Sequence, residues 1–452
     1  MSNNINLKQG LNIPISGTAA QKTRKDVAGT VVAIKPTDFK GLLPKLLVKE
    51  GDRVLAGSPV LADKVSQDIL FTSPVSGTVE SVVRGEKRKL LEVRIKADKT
   101  TEYVDFGTRK VNELSAEQVR EALLQSGLWP SFIQRPYGIV ADPQIKPKAI
   151  FVSAFATAPL AADIDYTLRD EFDNIQTGVN AVAKLTDGGV HFSLNGVNFN
   201  GTPLHKIENV IHHTFTGKHP AGNVGVQIHH ISPVSKGETV WTISPMMLAA
   251  IGKLFNTGKY DVSRKVAVTG PKAIDPAYVT AFPGMSMTDI ADFYDNSAND
   301  IRFISGDVLT GTNVGAEGFL GFFDNQVTLI KEGNEYEMFG WAKPFRTNLF
   351  SASRTYFSWL TPNKKYDMDT NLHGGPRAFV MSDLYGKVLP MDLYPVHLVK
   401  ACLAGDIDKM EKFGIYEVIE EDLALCEYVC PSKIEIQSIL SDGINLMLKE
   451  MA

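Results

Sequence analysis

Three cysteines in 452 residues, Cys402, Cys426 and Cys430, cannot form a disulfide framework. A reducing compartment follows as the simpler expectation. No long hydrophobic run is present either. The longest uncharged stretch, Ala149 to Ala162, is broken by Pro159 and falls short of the roughly 20 apolar residues that cross a bilayer. The opening MSNNINLKQGLNIPISG has no apolar core behind basic residues, so no signal peptide is expected. Charge is nearly balanced at −4, which gives no footprint for nucleic acid. Internal repeats and low-complexity segments are missing. The chain reads as soluble, and membrane association would come through a partner. Its length suggests two to four domains.

What is present begins with short alternating bursts between Pro44 and Ile95. They are Lys45–Val48, Ser58–Leu61, Gly77–Val83 and Leu91–Ile95, with Gly51-Asp52, Gly57-Ser58, Pro74 and Gly85 between them. Period-two alternation bounded by turn residues predicts short, half-buried strands in a small sandwich or barrel. Gly29–Ile34 adds one more strand, and residues 1–43 lead into this module. The stretches Val48–Val54, Asp63–Val65 and Thr72–Val79 resemble the biotinyl/lipoyl carrier domain. By that resemblance Lys64 stands where carriers are acylated. The segment from Lys64 to Pro74 is longer and more apolar than a carrier hairpin, through Ile69-Leu70-Phe71. An unmodified structural module is therefore the expectation.

Leu114–Leu124 predicts a helix with Ser115 as N-cap, Gln118 three residues on and Gly127 as the stop. Leu128–Gly138 follows as a bulky loop with two prolines and three aromatics. Lys148–Phe155 is a continuous apolar run, as in a buried parallel strand. A helix over Asp173–Leu185, a strand over Gly189–Leu194, a helix over Pro203–His213 and an apolar helix over Met246–Phe255 predict an α/β layer. Strands at Arg264–Pro271 and Asn299–Asp307, with a short helix at Thr288–Tyr294, suggest a β-grasp module that Glu335–Trp341 extends. Helices near Pro395–Leu403, Asp406–Phe413, Tyr416–Tyr428 and Lys433–Lys449 close the chain.

Seven of the nine histidines lie between His191 and His230: His191, His205, His212, His213, His219, His229 and His230. A metal site is one reading. The other places His212 and His213 at a helix end and His229 and His230 on opposite faces of a strand, where they do not converge. The glycine-containing stretch His219–Val226, read as a loop before a strand, follows neither the GxGxxG nor the P-loop pattern. Close backbone packing is the alternative to a phosphate cradle there.

The order of modules, with Lys8–Pro14, Ala249–Phe255, Arg264–Gly270, Arg302–Gly306 and Cys426-Glu427-Tyr428-Val429-Cys430-Pro431, resembles the A-subunit family of the Na⁺-translocating NADH:quinone oxidoreductases, the NQR complexes. More distant likenesses are the C subunit of ferredoxin:NAD oxidoreductases and the flavin-carrying subunit of respiratory complex I. The implied fold is α+β and α/β multidomain. It has a lipoyl-like barrel-sandwich hybrid over 1–105, a central α/β layer over 106–258, an SLBB-like β-grasp over 259–345 and a C-terminal helical region over 346–452. The distant relatives carry a glycine loop for flavin phosphate and four-cysteine iron–sulfur motifs. Here Trp129–Gly138 stands in place of the loop, and bare amides cannot crowd a phosphate past Pro130, Arg135 and Pro136. Cys426 and Cys430 are the tail of a cluster motif that needs four thiolates.

The resemblance therefore implies a peripheral subunit on the cytoplasmic face of the bacterial inner membrane, with no redox cofactor of its own. NADH, ubiquinone or menaquinone, flavins, iron centres and the Na⁺ path belong to the whole complex and its other subunits. The chain would be a scaffold or a quinone-associated subunit. Trp129, Phe132 and Tyr137 would line a quinone pocket or simply pack. The alternatives are a soluble flavin and iron–sulfur NADH dehydrogenase subunit of the ferredoxin:NAD type, and an acyl carrier using Lys64. No catalytic, cofactor-binding or metal-ligating residue stands out from the sequence itself.

Overall fold

A computed structural model describes residues 3–451 apart from 28, 336, 338, 341–345 and 355. Four sheets carry the fold. The alternating bursts form two of them. Val31–Ile34, Leu90–Ala97, Gly77–Arg84 and Arg53–Val54 make one layer, and Pro44–Leu46, Pro59–Asp63 and Leu70–Thr72 make the other. Val32, Val60, Val79 and Ile95 point between the layers and are fully buried, as period-two alternation requires. The apolar hairpin residues Ile69 and Phe71 belong to this core as well.

The central sheet has seven strands. Their order is Asn4–Asn6, Ile211–Thr216, Val190–Asn195, Ile150–Ser153, Val240–Thr242, Ile133–Arg135 and Ile139–Val140. The first five run parallel, and the last two join by antiparallel pairing. The capping box at Ser115 forms as the spacing predicts. Gln118 donates its backbone N–H to Ser115, its side chain accepts from the Ser115 N–H, and Gly127 ends the Ala116–Ser126 helix in the left-handed region. Helices Phe172–Val182 and Pro245–Thr257 cross at backbone distance. A Cβ on Gly178 would stand 2.0 Å from the Leu248 carbonyl, and one on Gly252 would stand 1.8 Å from that of Asn174. Only glycine permits this contact.

The third module is a six-stranded mixed sheet built on Arg264–Thr269, Ala277–Ala281, Ile301–Ser305 and Gln326–Lys331, with a 3-10 helix over Met287–Phe293. The carboxyl-terminal helices are Pro395–Ala404, Ile407–Lys412, Glu420–Val429 and Ile436–Met451. Gly405 and Gly414 separate them with positive φ.

Four expectations are corrected. Pro203–His213 is not a helix. Thr202 caps a single 3-10 turn, Pro203–Lys206, and Asn209 at φ 60° reverses the chain into the strand Ile211–Thr216. The β-branched and aromatic content of Ile211, Thr214, Phe215 and Thr216 overrides the apolar spacing that suggested a helix. His212 and His213 therefore lie on a strand. His229 and His230, in turn, lie on the helix Val224–Ile231, where Val226 and Ile228 are buried. The stretch His219–Val226 accordingly opens a helix and not a strand. Residues 1–43 do not simply lead into the sandwich. Asn4–Asn6 pairs with Ile211–Thr216, and Thr23–Asp26 pairs with Ala277–Ala281. Both are short polar edge strands with no alternation to betray them. The extension expected at Glu335–Trp341 rests partly on residues outside the described ones.

Candidate functional site

A parallel sheet offers its ligand crevice at the carboxyl ends of its strands. In this protein that crevice is filled from within. Ser153, ending its strand, donates to the Gly222 carbonyl at 2.8 Å and accepts from Gln227 Nε2 at 2.8 Å. Thr157 Oγ1 accepts the Gly222 N–H at 2.9 Å and pairs with His219 Nδ1 at 3.2 Å. Burial pushes the His219 imidazole down to about 4. The amino-terminal segment crosses above. Leu11 N–H donates to the His219 carbonyl at 2.9 Å, and His219 N–H donates to Asn12 Oδ1 at 3.0 Å. Leu7 and Ile13 share a core with Phe155, Phe215, Ala221, Val226 and the carboxyl-terminal helices. The glycine stretch is therefore packed backbone, held by Thr157 against Gly222.

Beside it lies an ion pair that sequence reasoning did not find. The Arg135 guanidinium is 2 % exposed. Its Nη1 donates to Asp422 Oδ2 at 2.6 Å and its Nη2 to Glu421 Oε1 at 2.6 Å. Asp422 also accepts the Ile419 N–H at 2.9 Å, capping the helix Glu420–Val429 that carries Cys426. Both charges press on Gly225 in the first turn of Val224–Ile231. A Cβ there would stand 2.2 Å from Asp422 Oδ1 and 2.5 Å from Arg135 Nη1. An internal carboxylate thus lies against the first turn of this helix.

Trp129 and Phe132 lie in the core. Both are fully buried and close a ring cluster with Trp241 at 5.3 to 5.6 Å, and Trp129 Nε1 donates to the Ala141 carbonyl. Tyr137 packs apart from them on Tyr416. The three aromatics are packing. All three cysteines are buried. Tyr385 Oη donates to Cys430 Sγ at 3.0 Å, and burial pushes the Cys402 thiol up to about 11 and that of Cys426 upward too. Such thiols resist becoming the thiolates that bind metal.

The histidines take separate partners. His212 Nε2 donates to the Ile207 carbonyl, His230 Nε2 to that of Pro390, and His229 Nδ1 pairs with Glu417. His191 and His213 bond to each other at 2.8 Å. Among the described residues no three His, Cys, Asp or Glu side chains are grouped to hold a metal ion.

Lys64 lies exposed at the tip of its hairpin. The turn is built by its neighbour. Asp63 is 2 % exposed and accepts the N–H groups of Leu43, Val65 and Ser66 at 2.7 to 3.0 Å. Lys64→Arg is accordingly expected to leave thermal stability and chain mass otherwise unaltered, apart from the substitution itself. Intact-mass measurement finding a lipoyl- or biotinyl-sized addition on the original chain, lost in the variant, would refute this.

A narrow crevice with a volume of about 20 Å³ lies where the barrel-sandwich, the α/β layer and the β-grasp module meet. Phe39, Phe71 and Phe322 give it aromatic walls, with Phe39 at 4.6 Å from Phe71 and 4.8 Å from Phe322. Lys35, Asp38 and Tyr260 supply the polar groups. Lys35 Nζ lies 3.5 Å from Asp38 and donates to the Phe319 carbonyl at 3.1 Å. Burial raises the Asp38 carboxyl above the usual range against the pull of Lys35, and it pushes Tyr260 up to about 12. Arg264 lies behind the wall. Its Nη2 donates to the carbonyls of Phe322 and Asp324 at 2.6 and 2.7 Å, fixing the loop that presents Phe322. Mostly apolar walls with a few converging polar groups are the usual make-up of a small-molecule site. Little along the chain points to it. Lys35 and Asp38, three apart beside Pro36, read as an ordinary surface turn.

Comparison with known proteins agrees with this architecture. The profile described as NqrA N-terminal barrel-sandwich hybrid domain matches residues 5–98. The NqrA second alpha/beta domain matches 114–260, and the NQRA C-terminal domain matches 265–316. The A subunit of the Na(+)-translocating NADH-quinone reductase of Rhodopirellula baltica is 38% identical over 449 residues, covering 98% of each chain. That of Yersinia pestis bv. Antiqua is 38% identical over 449 residues, covering 99% of this chain and 100% of the relative. That of Haemophilus influenzae is 36% identical over 450 residues, again covering 99% and 100%.

Proposed function

Because the chain belongs to the A-subunit family of the Na(+)-translocating NADH-quinone reductases, we propose that it is the peripheral, cytoplasmic-face subunit of such a complex and holds a quinone headgroup in the three-domain cleft. The observation that carries the membership is identity along essentially the whole chain. Among the described residues no helix is long and apolar enough to cross a membrane, which supports a peripheral place. In this reading the complex couples NADH oxidation and quinone reduction to Na⁺ export. Flavins, iron centres and the ion path reside in other subunits.

The lining of the crevice matches a flat ring with two carbonyl oxygens, and Phe39, Phe71 and Phe322 would have to part from their mutual packing to admit it. Phe39, Phe71 and Phe322 would flank the ring, while the Lys35 ammonium and the Tyr260 hydroxyl offer donors to its oxygens. Asp38 is occupied by the Phe322 N–H at 2.8 Å and by Lys35 at 3.5 Å. The soluble flavin and iron–sulfur dehydrogenase reading is disfavoured by the filled sheet crevice and by the burial of all three thiols.

The test is made in the assembled complex. Lys35→Met is expected to raise the KM for quinone about tenfold or more, the worth of one hydrogen bond to a charged group, with NADH oxidation by an artificial acceptor unchanged. An unchanged quinone KM would remove the cleft from the reading. The isolated chain is expected to be colourless and inactive with NADH and that same acceptor. Stoichiometric flavin absorbance or such activity would sink this part.

A further inference from the structure

The barrel hairpin of Gly77–Arg84 and Leu90–Ala97 turns at Glu86-Lys87-Arg88-Lys89. Its tip runs past the neighbouring strand Val31–Ile34, whose pairing stops at Val93. Lys89 N–H donates to the Glu86 carbonyl at 3.0 Å, and between them Lys87 and Arg88 have φ of 51° and 60°. Two left-handed central residues make a type I′ turn, whose usual occupants are Asn and Gly. A residue with a long side chain is strained there. No other two adjacent non-glycine residues share this conformation among the described ones. Strain of this kind is kept where the side chains it displays have a use.

What the turn displays is positive charge. Arg84, Lys87, Arg88 and Lys89 are all exposed, with Glu86 the one acid among them. Elsewhere in the barrel Arg53 is matched by Asp98 and Lys40 by Glu420. Among the described residues none of the four tip cations has an ion-pair partner. Arg84 Nη1 donates instead to the Arg88 carbonyl at 3.2 Å.

We infer that this tip is a docking point for the anionic headgroups of a phospholipid surface. Charge complementarity selects the occupant. Four cations in the six residues Arg84–Lys89, with no apolar or aromatic side chain among them, have the make-up of a polybasic lipid-binding segment. A protein partner fits less well. Protein hot spots are built on aromatic or apolar anchors, and Lys is depleted at such interfaces.

The experiment sediments the purified full chain with phosphatidylcholine vesicles made with and without phosphatidylglycerol. Binding is expected only to the anionic vesicles and is expected to fall as salt is raised. Lys87→Asn combined with Arg88→Gly installs the residues the turn prefers. It is expected to weaken vesicle binding about 25-fold, roughly fivefold for each cation lost. The same variant is expected to melt above the original, because its turn is relaxed. A merely structural role for the pair cannot give both results. Lys99→Gln with Lys206→Gln removes the same charge from exposed sites elsewhere and is expected to leave binding unchanged. Failure of the original chain to bind anionic vesicles would overturn the inference and leave an acidic protein surface as the occupant. Equal binding to neutral vesicles would overturn it, as would equal losses from the two double variants, since the tip would then have no special part. Melting of the Asn-Gly variant below the original would remove the strain on which the inference stands. The assay contains no quinone and no other subunit, so its failure is distinct from failure of the crevice reading.

Discussion

Asp422→Ala is expected to destabilise the protein by about 3–5 kcal/mol, the cost of leaving a buried guanidinium without its partner. Arg135 is 2 % exposed, and the Asp422 side chain is fully enclosed. Its remaining contact, Glu421, is 39 % exposed and cannot neutralise the charge as well. The loss also removes the acceptor for the Ile419 N–H at the start of Glu420–Val429. Denaturant melts followed by circular dichroism read the effect. The companion variant, Arg135→Met with Asp422→Leu, removes both charges and is expected to recover most of the loss, because a buried pair against an apolar replacement is close to break-even. A single variant within about 1 kcal/mol of the original would show that water reaches the guanidinium after all.

Gly252→Val should be comparably damaging through shape alone. Even a Cβ at this position would stand 1.8 Å from the Asn174 carbonyl oxygen, so the Phe172–Val182 and Pro245–Thr257 helices must part. Ile175, Val179, Leu248 and Ile251, all fully buried around this crossing, lose contacts together. Overpacking of this kind typically costs about 1–3 kcal/mol, and a collision with backbone belongs at or above the upper end. Gly386 supplies the contrast. It lies in the helix Leu384–Val388 with nothing within 4 Å of its would-be Cβ. Gly386→Ala is expected to be neutral or to stabilise by up to about 1 kcal/mol. Equal melting of the two variants would mean the helices are not in backbone contact.

Local signals in the sequence were faithful where the cause is local. The Ser115 cap, the barrel strands and the Gly405 and Gly414 stops depend on residues within a few positions of each other. The histidine-bearing segments misled because spacing alone cannot separate a buried strand from a helix face. Ile211–Thr216 is settled by the Asn209 reversal and by its neighbours in the sheet. The long-range features were the least visible. Arg135 and Asp422 are separated by 287 positions. The cleft draws Lys35, Phe71, Tyr260 and Phe322 from segments that nothing in composition connects. For Trp129 and Phe132 the sequence left pocket lining and packing both open, and Trp241, distant in the chain, is the partner that packs them inside.

The two amino-terminal strands also set an order of events during synthesis. Asn4–Asn6 has no sheet to join until Ile211–Thr216 has been made, and Asn3 donates its N–H to a histidine 210 residues downstream. At about 5–20 residues per second, that wait is on the order of ten to forty seconds. Thr23–Asp26 waits longer, for Ala277–Ala281. Meanwhile the barrel between Val31 and Ala97 has all its own strands and can close soon after it emerges. These early-translated segments are thus among the last to find their places. Until they do, the central sheet keeps a bare parallel edge at Ile211–Thr216, the kind of edge that invites wrong pairing in a crowded cell.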